Sequence, residues 1–198
     1  MPTARIGISG WRYPPWRGVF YPKGLRQADE LLFAAERLTS IEINGSFYSL
    51  QRPSSWRAWH DTVPDDFVFS VKAPRFITHL KRMRDVEQPL ANFFASGLLA
   101  LRGKLGPLLW QFPGNLPFDP DVFEAFIAML PKTTGQAAVL ASRREVDRMR
   151  DREFFAVEVD RPLRHAFEPR HPSWDCDAFR DILTRYAAAA VLADTARV

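Results

Sequence analysis

The stretch His165-Ala166-Phe167-Glu168-Pro169-Arg170-His171-Pro172-Ser173-Trp174 begins as an apolar strand and then carries a carboxylate, a guanidinium and an imidazole. Each of these groups is charged or ionisable and costs free energy to bury alone. Because strand side chains alternate between two faces, Ala166, Glu168 and Arg170 are predicted to share one face and Phe167 the other. Charge on one face of an apolar strand indicates a site.

Five other segments along the chain have the pattern of short strands, and helical segments separate them. Strands that alternate with helices at a spacing of roughly 30 residues are typical of βαβ units in a parallel sheet. The other predicted strands are 6–10, 40–45, 67–73, 106–113 and 188–194, and the predicted helices are 28–38, 53–61, 89–105, 119–130, 136–150 and 176–186.

The polar ends of these strands distinguish between two α/β architectures. Both faces of a doubly wound sheet are covered, so its strands should be apolar on both faces. Here one face of each strand ends in polar residues, as it does at the mouth of a TIM-type barrel. The sequence therefore predicts an α/β fold of the TIM-barrel type. The polar residues are Ser9, Glu42, Asn44, Lys72, Gln111, Glu168, Arg170 and Asp194.

Composition limits the class of protein. With 198 residues, 46% hydrophobic and 25% charged, residues 1–198 are predicted to form one soluble domain. No run of about 18 apolar residues and no signal-peptide pattern occurs, which predicts a cytoplasmic protein without a membrane partner. The single cysteine, Cys176, excludes a disulfide framework. A net charge of +4 is compatible with an anionic substrate or with nucleic acid.

Seven motifs follow one another along almost the whole chain. They are Ile8-Ser9-Gly10-Trp11 with Tyr13 and Trp16, Phe20-Tyr21-Pro22, Glu42-Ile43-Asn44-Gly45-Ser46-Phe47-Tyr48, Phe69-Ser70-Val71-Lys72-Ala73-Pro74, Gln111-Phe112-Pro113, Glu168 with Arg170-His171-Pro172-Ser173-Trp174, and Ala193-Asp194-Thr195. In this order the chain resembles the YecE-like proteins of domain of unknown function 72. Members of that family look like TIM barrels and are described as related to sugar isomerases, so the resemblance implies a barrel fold and sugar-like chemistry.

The chain departs from the family pattern in two ways. Pro169 stands where members of the family carry an aromatic or aliphatic residue. Proline has no backbone N–H to donate to a neighbouring strand, so this position suits a bulge or the end of a strand. Members also continue into two more βα units, and a barrel needs about 250 residues. We therefore expect a C-terminally short, incomplete barrel of about six βα units of eight. Either the chain is a truncated product, or its open edges at the first and sixth strands are covered by a partner chain, as in a homo-oligomer.

Charged residues of opposite sign are predicted to meet at the barrel mouth. In a water-poor site such charges shift one another's pKa, which can turn a Glu into a general acid or a Lys into a general base. Glu42 and Glu168 are the acid/base candidates, and Lys72 and Arg170 would hold a negative group; the alternative is a purely structural ion-pair network. The predicted catalytic residues are Glu42, Lys72, Glu168, His171 and Asp194, with the last two relaying protons.

A basic loop and several aromatic residues surround the predicted mouth. Cationic side chains there would capture a phosphate or a carboxylate, and flat rings suit a sugar ring or an unstacked base. The alternatives are a solvated surface loop and ordinary core packing. The basic residues are Arg75, His79, Lys81, Arg82 and Arg84. The predicted substrate-binding residues are Ser9, Trp11, Tyr13, Asn44, Tyr48, Arg75, His79, Gln111, Arg170 and Trp174.

Several functions agree with these residues. The first hypothesis is an isomerase- or hydrolase-like enzyme that acts on a small anionic or sugar-like molecule. Alternatives are a nucleic-acid-binding or phosphodiester-processing barrel, and a truncated barrel without catalytic activity. A divalent metal held by Glu42, Glu168, His171 and Asp194 is a further alternative. The chain has no paired-histidine motif, and Lys72 already compensates the carboxylates, so we assign no metal ligand and predict no cofactor.

Overall fold

A computed structural model describes residues 4–194 as an α/β fold with a six-stranded parallel sheet. Every neighbouring pair of strands is parallel, and the strands lie in the sheet in the order in which they occur along the chain. The predicted parallel sheet is therefore confirmed. The strands are β1 (Gly7–Ser9), β2 (Ser40–Ile43), β3 (Val68–Lys72), β4 (Leu105–Gln111), β5 (His165–Glu168) and β6 (Ala189–Ala190).

Helices connect the strands and cover one face of the sheet. Asp119 begins one of them as predicted, because its side chain accepts a hydrogen bond from the amide of Val122 at 3.2 Å. Pro120 occupies the first helical position, where the missing N–H costs nothing. The helices are α1 (Glu30–Ala35), α2 (Gly45–Tyr48), α3 (Pro53–Thr62), α4 (Glu87–Ala95), α5 (Pro120–Met129), α6 (Thr134–Ala141), α7 (Val146–Met149) and α8 (Asp177–Arg185).

The strand register aligns buried apolar side chains in rows beneath these helices. Ile41 pairs with Phe69, and Trp110 pairs with Phe167. All four side chains are fully buried. Because alternate residues point the other way, the polar residues of the same strands share the opposite face. The alternation in the sequence thus separates a packed face from a polar face.

Two of the predicted helices are interrupted in the structure. The helix predicted for 89–105 ends at Ala95, because Gly97 adopts a positive φ of 106° that ends the helical path. A Cβ at this glycine would lie 2.8 Å from Cα of Pro53, so the close contact with α3 also requires glycine. Residues Leu98–Lys104 then form 3-10 turns. The helical segment predicted for 136–150 consists of α6 and α7.

The last predicted strand is also shorter than expected. Residues 188–194 were predicted to be a strand, but only Ala189–Ala190 pair with β5, and Asp194 is exposed beyond them. Thr195, the last residue of the seventh motif, lies outside the described residues. Within 4–194, no helix combines the length and the apolar character needed to cross a membrane.

Candidate functional site

The carboxyl ends of the parallel strands bring five polar residues to one edge of the sheet. The last residues of β1, β3, β4 and β5 are polar, and β2 contributes Glu42, which pairs in register with the end of β1. Ligands of parallel α/β sheets bind at this edge. We call these residues the carboxyl-edge cluster: Ser9, Glu42, Lys72, Gln111 and Glu168.

Glu42 is held by neutral hydrogen-bonding groups. The hydroxyl of Ser9 donates to Oε1 of Glu42 at 2.8 Å, and Nδ2 of Asn44 donates to the Ser9 hydroxyl at 2.5 Å. The Tyr13 hydroxyl donates to the carbonyl of Ser9. No basic side chain of residues 4–194 forms an ion pair with Glu42. The carboxylate is half-buried and fixed in place.

Glu168 lies in a different environment, because its side chain is 10% exposed and is paired with a guanidinium. Oε1 accepts hydrogen bonds from Nε2 of Gln111 at 2.8 Å and from two nitrogens of Arg170 at 3.1 and 3.2 Å. All three bonds end on the same oxygen, and the protein atoms described provide no hydrogen-bond donor to Oε2. Arg170 is exposed and turns back onto Glu168, because β5 ends one residue before Pro169.

Positive charge collects beside the two carboxylates. The ammonium of Lys72 lies 4.9 Å from the centre of the Phe47 ring, and the imidazole of His79 packs edge-on against the same ring at 5.1 Å. Burial lowers the pKa of His79, and the charges of Arg75, Lys72 and Arg170 lower it further. In the part of the chain that the structure describes, neither Lys72 nor Arg75 forms an ion pair. The site therefore has positive charge available for an anion.

A cavity of about 270 Å³ lies at the ends of β1 and β2, where Gly10, Ile43 and Asn44 line it. Three of the predicted substrate-binding residues line it, namely Trp11, Tyr13 and Asn44. The structure adds Gln51 and Trp59, which the sequence analysis missed because neither follows a strand. The Trp11 ring is 7% exposed and packs edge-on against Trp59 at 5.5 Å, so it contributes mainly to the wall of this cavity.

Phe47, which the sequence predicts only as one of the rim aromatics, lies at the centre of this group of side chains. Its ring lies between Lys72 and His79, and Tyr48 packs edge-on against it at 5.1 Å. The neighbouring hydroxyl of Ser46 donates to the carbonyl of Lys72 at 2.7 Å, which ties α2 to the end of β3. The aromatic pair directly after the Glu42 strand was the only sequence signal for this arrangement.

Trp174 does not belong to the rim, although the sequence analysis placed it there. The side chain is 2% exposed and stacks on Phe112 with ring centres 4.9 Å apart. Its indole N–H donates to the carbonyl of Leu116 at 2.8 Å, which satisfies the only polar group of the ring. Trp174 therefore packs in the core against Phe112, α5 and α8.

The proposed proton relay between His171 and Asp194 is not assembled. Nδ1 of His171 accepts a hydrogen bond from the amide of Ser173 at 3.2 Å and lies 2.8 Å from its hydroxyl, so the imidazole caps the short 3-10 helix Pro172–Trp174. Asp194 is exposed beyond the end of β6. The position of His171 is explained by its capping of the 3-10 helix, and Asp194 is exposed to solvent. Neither position indicates a proton relay.

The described residues give no support to the metal alternative. One residue of the basic loop forms an ion pair, so not all of its charge is available to a ligand. Within 4–194, no three His, Cys, Asp or Glu side chains come together in a way that could hold a metal ion. Arg84 of the basic loop forms an ion pair with Asp119 at 3.2 Å. His79 is the member of that loop whose ring reaches Phe47.

Known structures share the fold. A protein of the DUF72 family from Thermotoga maritima superimposes with a TM-score of 0.64 at 22% sequence identity, covering 94% of this chain and 63% of that protein. A DUF72 protein from Enterococcus faecalis superimposes with a TM-score of 0.60 at 17% identity, covering 94% of this chain and 59% of the other. These identities establish similarity of fold alone.

Sequence comparison gives the family. The UPF0759 protein YecE of Escherichia coli K12 is 28% identical over an alignment that spans 57% of this chain and 44% of YecE. The matched part is thus less than half of that relative. The family described as "protein of unknown function DUF72" matches residues 5–198. Because this match covers almost the whole sequence, the chain belongs to the DUF72 family.

Proposed function

We propose that the protein is an isomerase- or hydrolase-like enzyme that performs acid/base chemistry on a small anionic, sugar-like substrate at the carboxyl-edge cluster. The observation that supports it is the contrast between its two carboxylates. Glu42 is hydrogen-bonded by the neutral Ser9 hydroxyl, whereas Glu168 is paired with Arg170. Two carboxyl groups in different environments at one site are the arrangement from which separate acid and base roles arise.

Each group then has a role in the proposed reaction. Glu168 is the base, because all its hydrogen bonds from described protein atoms end on Oε1 and Oε2 is available to a substrate proton. Glu42 is the acid, because it has no cationic partner among the described residues. Lys72 and Arg75 bind the negative group of the substrate, since both are free of ion pairs within 4–194.

We also propose that the sheet belongs to a TIM-type barrel. The sequential order of the six parallel strands supports this, because a doubly wound sheet reverses its strand order at a switch point. Location of the polar cluster at the carboxyl ends supports it as well. Cytoplasmic location and a homo-oligomer that covers the sheet edges stay predictions of the sequence.

Substitution of the two carboxylates tests the function. Phosphorylated sugars and sugar acids are incubated with the protein, and conversion is followed by NMR spectroscopy. For any substrate that is converted, Glu42→Gln and Glu168→Gln should each lower kcat by about 10²–10⁴-fold, because each removes a proton-transfer group. The control is Glu158→Gln, since Glu158 is 70% exposed and pairs with Arg102 away from the site.

Retention of full activity by both site variants would contradict the proposal. Circular dichroism and the urea unfolding midpoint of each variant show whether the fold is preserved, so that a loss of activity is not confused with unfolding. Equal losses in the control and in the site variants would also count against specific roles for Glu42 and Glu168.

A further inference from the structure

A second cavity of about 270 Å³ is lined by Phe47 and lies between α2, the segment after β3 and α4. Three of its lining side chains are large, apolar and exposed: Tyr48 is 73% exposed, Phe76 is 44% and Leu80 is 62%. Exposed apolar groups that line one concavity are typical of ligand sites. We call this cavity the ring groove, and its walls include Phe47, Tyr48, Arg75, Phe76, Leu80 and Arg148.

The wall that carries Phe76 and Leu80 is anchored from below. Phe76–Leu80 form a π-helical turn, a conformation that is rare and frequently found at functional sites. Ile77 and Met83 of the same segment are buried, and the amide of Met83 donates to the carbonyl of Ile77 at 3.0 Å. Because its neighbours are fixed in the core, the segment presents Phe76 and Leu80 to solvent in a defined position.

Charge is distributed unevenly along the ring groove. Arg75 lines the ring groove and follows Lys72, the last residue of β3, by three residues in the chain. The other arginine of the lining, Arg148, pairs with Glu145 at 3.3 Å. Within the described residues the unpaired positive charge of the ring groove is therefore that of Arg75, and the remaining walls are mainly apolar.

We propose that the ring groove binds the planar apolar ring of a ligand whose anionic group lies on Arg75 at the boundary with the carboxyl-edge cluster. The ring packs against Tyr48, Phe76 and Leu80, and the phosphate or carboxylate accepts hydrogen bonds from the guanidinium. This inference rests on the proposed function for its anionic group and narrows the substrate class to anions that carry a planar ring, such as aryl or nucleoside phosphates.

Three probes separate the ring from the anion: 1-naphthyl phosphate carries both, 1-naphthol carries the ring alone and inorganic phosphate carries the anion alone. NMR titration of the protein gives the dissociation constant of each. We expect 1-naphthyl phosphate to bind at least about tenfold more tightly than either of the others, because only this probe uses both the apolar wall and Arg75. Amide shifts should change at 47–50 and 76–80.

A double substitution tests the apolar wall without changing any charge. The double variant Tyr48→Gln with Leu80→Gln should bind 1-naphthyl phosphate about tenfold more weakly than the unsubstituted protein does. Its affinity for inorganic phosphate should be unchanged. The matched control is Val139→Gln with Val159→Gln, because those side chains are also exposed, at 62% and 57%, and line neither the ring groove nor the carboxyl-edge cluster. Arg75→Gln should lower the affinity for 1-naphthyl phosphate and leave the affinity for 1-naphthol unchanged.

The outcomes separate this inference from the proposed function. If 1-naphthyl phosphate binds no more tightly than phosphate, or the double variant binds like its control, the ring groove is not a binding site, whereas phosphate binding that Lys72→Met abolishes still supports the anion site. If the ring groove binds as expected but Glu42→Gln and Glu168→Gln stay fully active, only the proposed chemistry fails. Absence of binding by every probe would overturn both proposals.

Discussion

At the scale of single residues, burial requires each polar side chain to find a specific partner. His165 shows this, because Nδ1 accepts a hydrogen bond from the indole N–H of Trp110 at 3.0 Å and Nε2 lies 2.8 Å from the carbonyl of Pro131. These partners require the tautomer with its proton on Nε2. Burial lowers the pKa of His165. A second proton would place an N–H on Nδ1 directly against the N–H of Trp110.

We expect the protein to lose stability as the pH falls below about 6.5, the ordinary pKa of histidine. Below this pH, His165 binds a proton in the unfolded chain but not in the folded protein. Lowering the pH therefore favours the unfolded state, and the free energy of unfolding falls by up to about 1.4 kcal/mol per pH unit. Urea unfolding measured over this range gives the slope. His165→Gln should reduce the slope but not abolish it, because the pKa of His79 is also lowered. An unchanged slope in the variant would contradict this assignment.

Tyr21 is a second buried residue with a specific partner. Its hydroxyl donates to the carbonyl of Trp11 at 2.6 Å, and burial together with the charge of Glu30 raises its pKa to about 12. Tyr21→Phe should lower the free energy of unfolding by about 1–2 kcal/mol, because the carbonyl loses its partner. Tyr48→Phe is the control, since Tyr48 is 73% exposed and its hydroxyl has no partner among the described residues. Equal effects on urea unfolding would contradict the prediction.

At the scale of elements, close backbone contact determines where strands β3 and β4 can pair. Gly106 lies in β4 beside an irregularity in the register of β3 between Phe69 and Val71. A Cβ at Gly106 would lie 2.4 Å from Cγ1 of Val68 and 2.7 Å from the carbonyl oxygen of Phe69. The strand pair that carries Lys72 and Gln111 therefore depends on this glycine.

Gly106→Ala should destabilise the protein by about 1–3 kcal/mol, because the backbone oxygen cannot move away without breaking the strand pair. Gly103→Ala is the matched control two residues before β4, since a Cβ there meets nothing within 4 Å. The change at Gly103 should be neutral or slightly stabilising. Thermal unfolding of both variants measures the difference, and an equally small effect at Gly106 would show that the strands separate easily.

At the scale of the whole molecule, the distribution of charge matters more than the net charge of +4. About half of the arginines in residues 4–194 form ion pairs, such as Arg180 with Asp175 and Asp177. Lys72 and Arg75 form none within the described residues; Lys72 belongs to the carboxyl-edge cluster, and Arg75 follows it by three residues in the chain. Because Lys72 is the last residue of a parallel strand, at the edge where ligands of such sheets bind, we expect a small anion to bind there.

Inorganic phosphate should raise the thermal unfolding midpoint relative to chloride at the same ionic strength. At a phosphate concentration ten times the dissociation constant, the gain in unfolding free energy is about 1.4 kcal/mol. Lys72→Met should remove this gain. Lys132→Met should keep it, because Lys132 also lies over an aromatic ring, that of Tyr186 at 5.6 Å, but on another part of the molecule. If phosphate raised the unfolding midpoint equally in both variants, the anion would bind away from Lys72.

The nucleic-acid alternative makes a different prediction for the same charges. A protein that neutralises several phosphates binds an oligonucleotide with an affinity that falls steeply between about 50 and 200 mM salt. A site for one small anion should instead bind a single-stranded oligonucleotide weakly at all salt concentrations. Fluorescence anisotropy at several salt concentrations distinguishes them, and tight binding that salt weakens would favour the nucleic-acid alternative.

The sequence by itself determined the six parallel strands and the position of the polar residues at their ends, because alternation and strand–helix periodicity are local properties of the chain. It also indicated Glu42, Lys72 and Glu168. It could not show that Lys72 and His79 both contact the ring of Phe47, or that Trp174 is buried on Phe112. Those contacts join residues far apart in sequence, so only tertiary packing decides them. Tertiary packing also decided where α4 ends, because its end depends on close contact with α3.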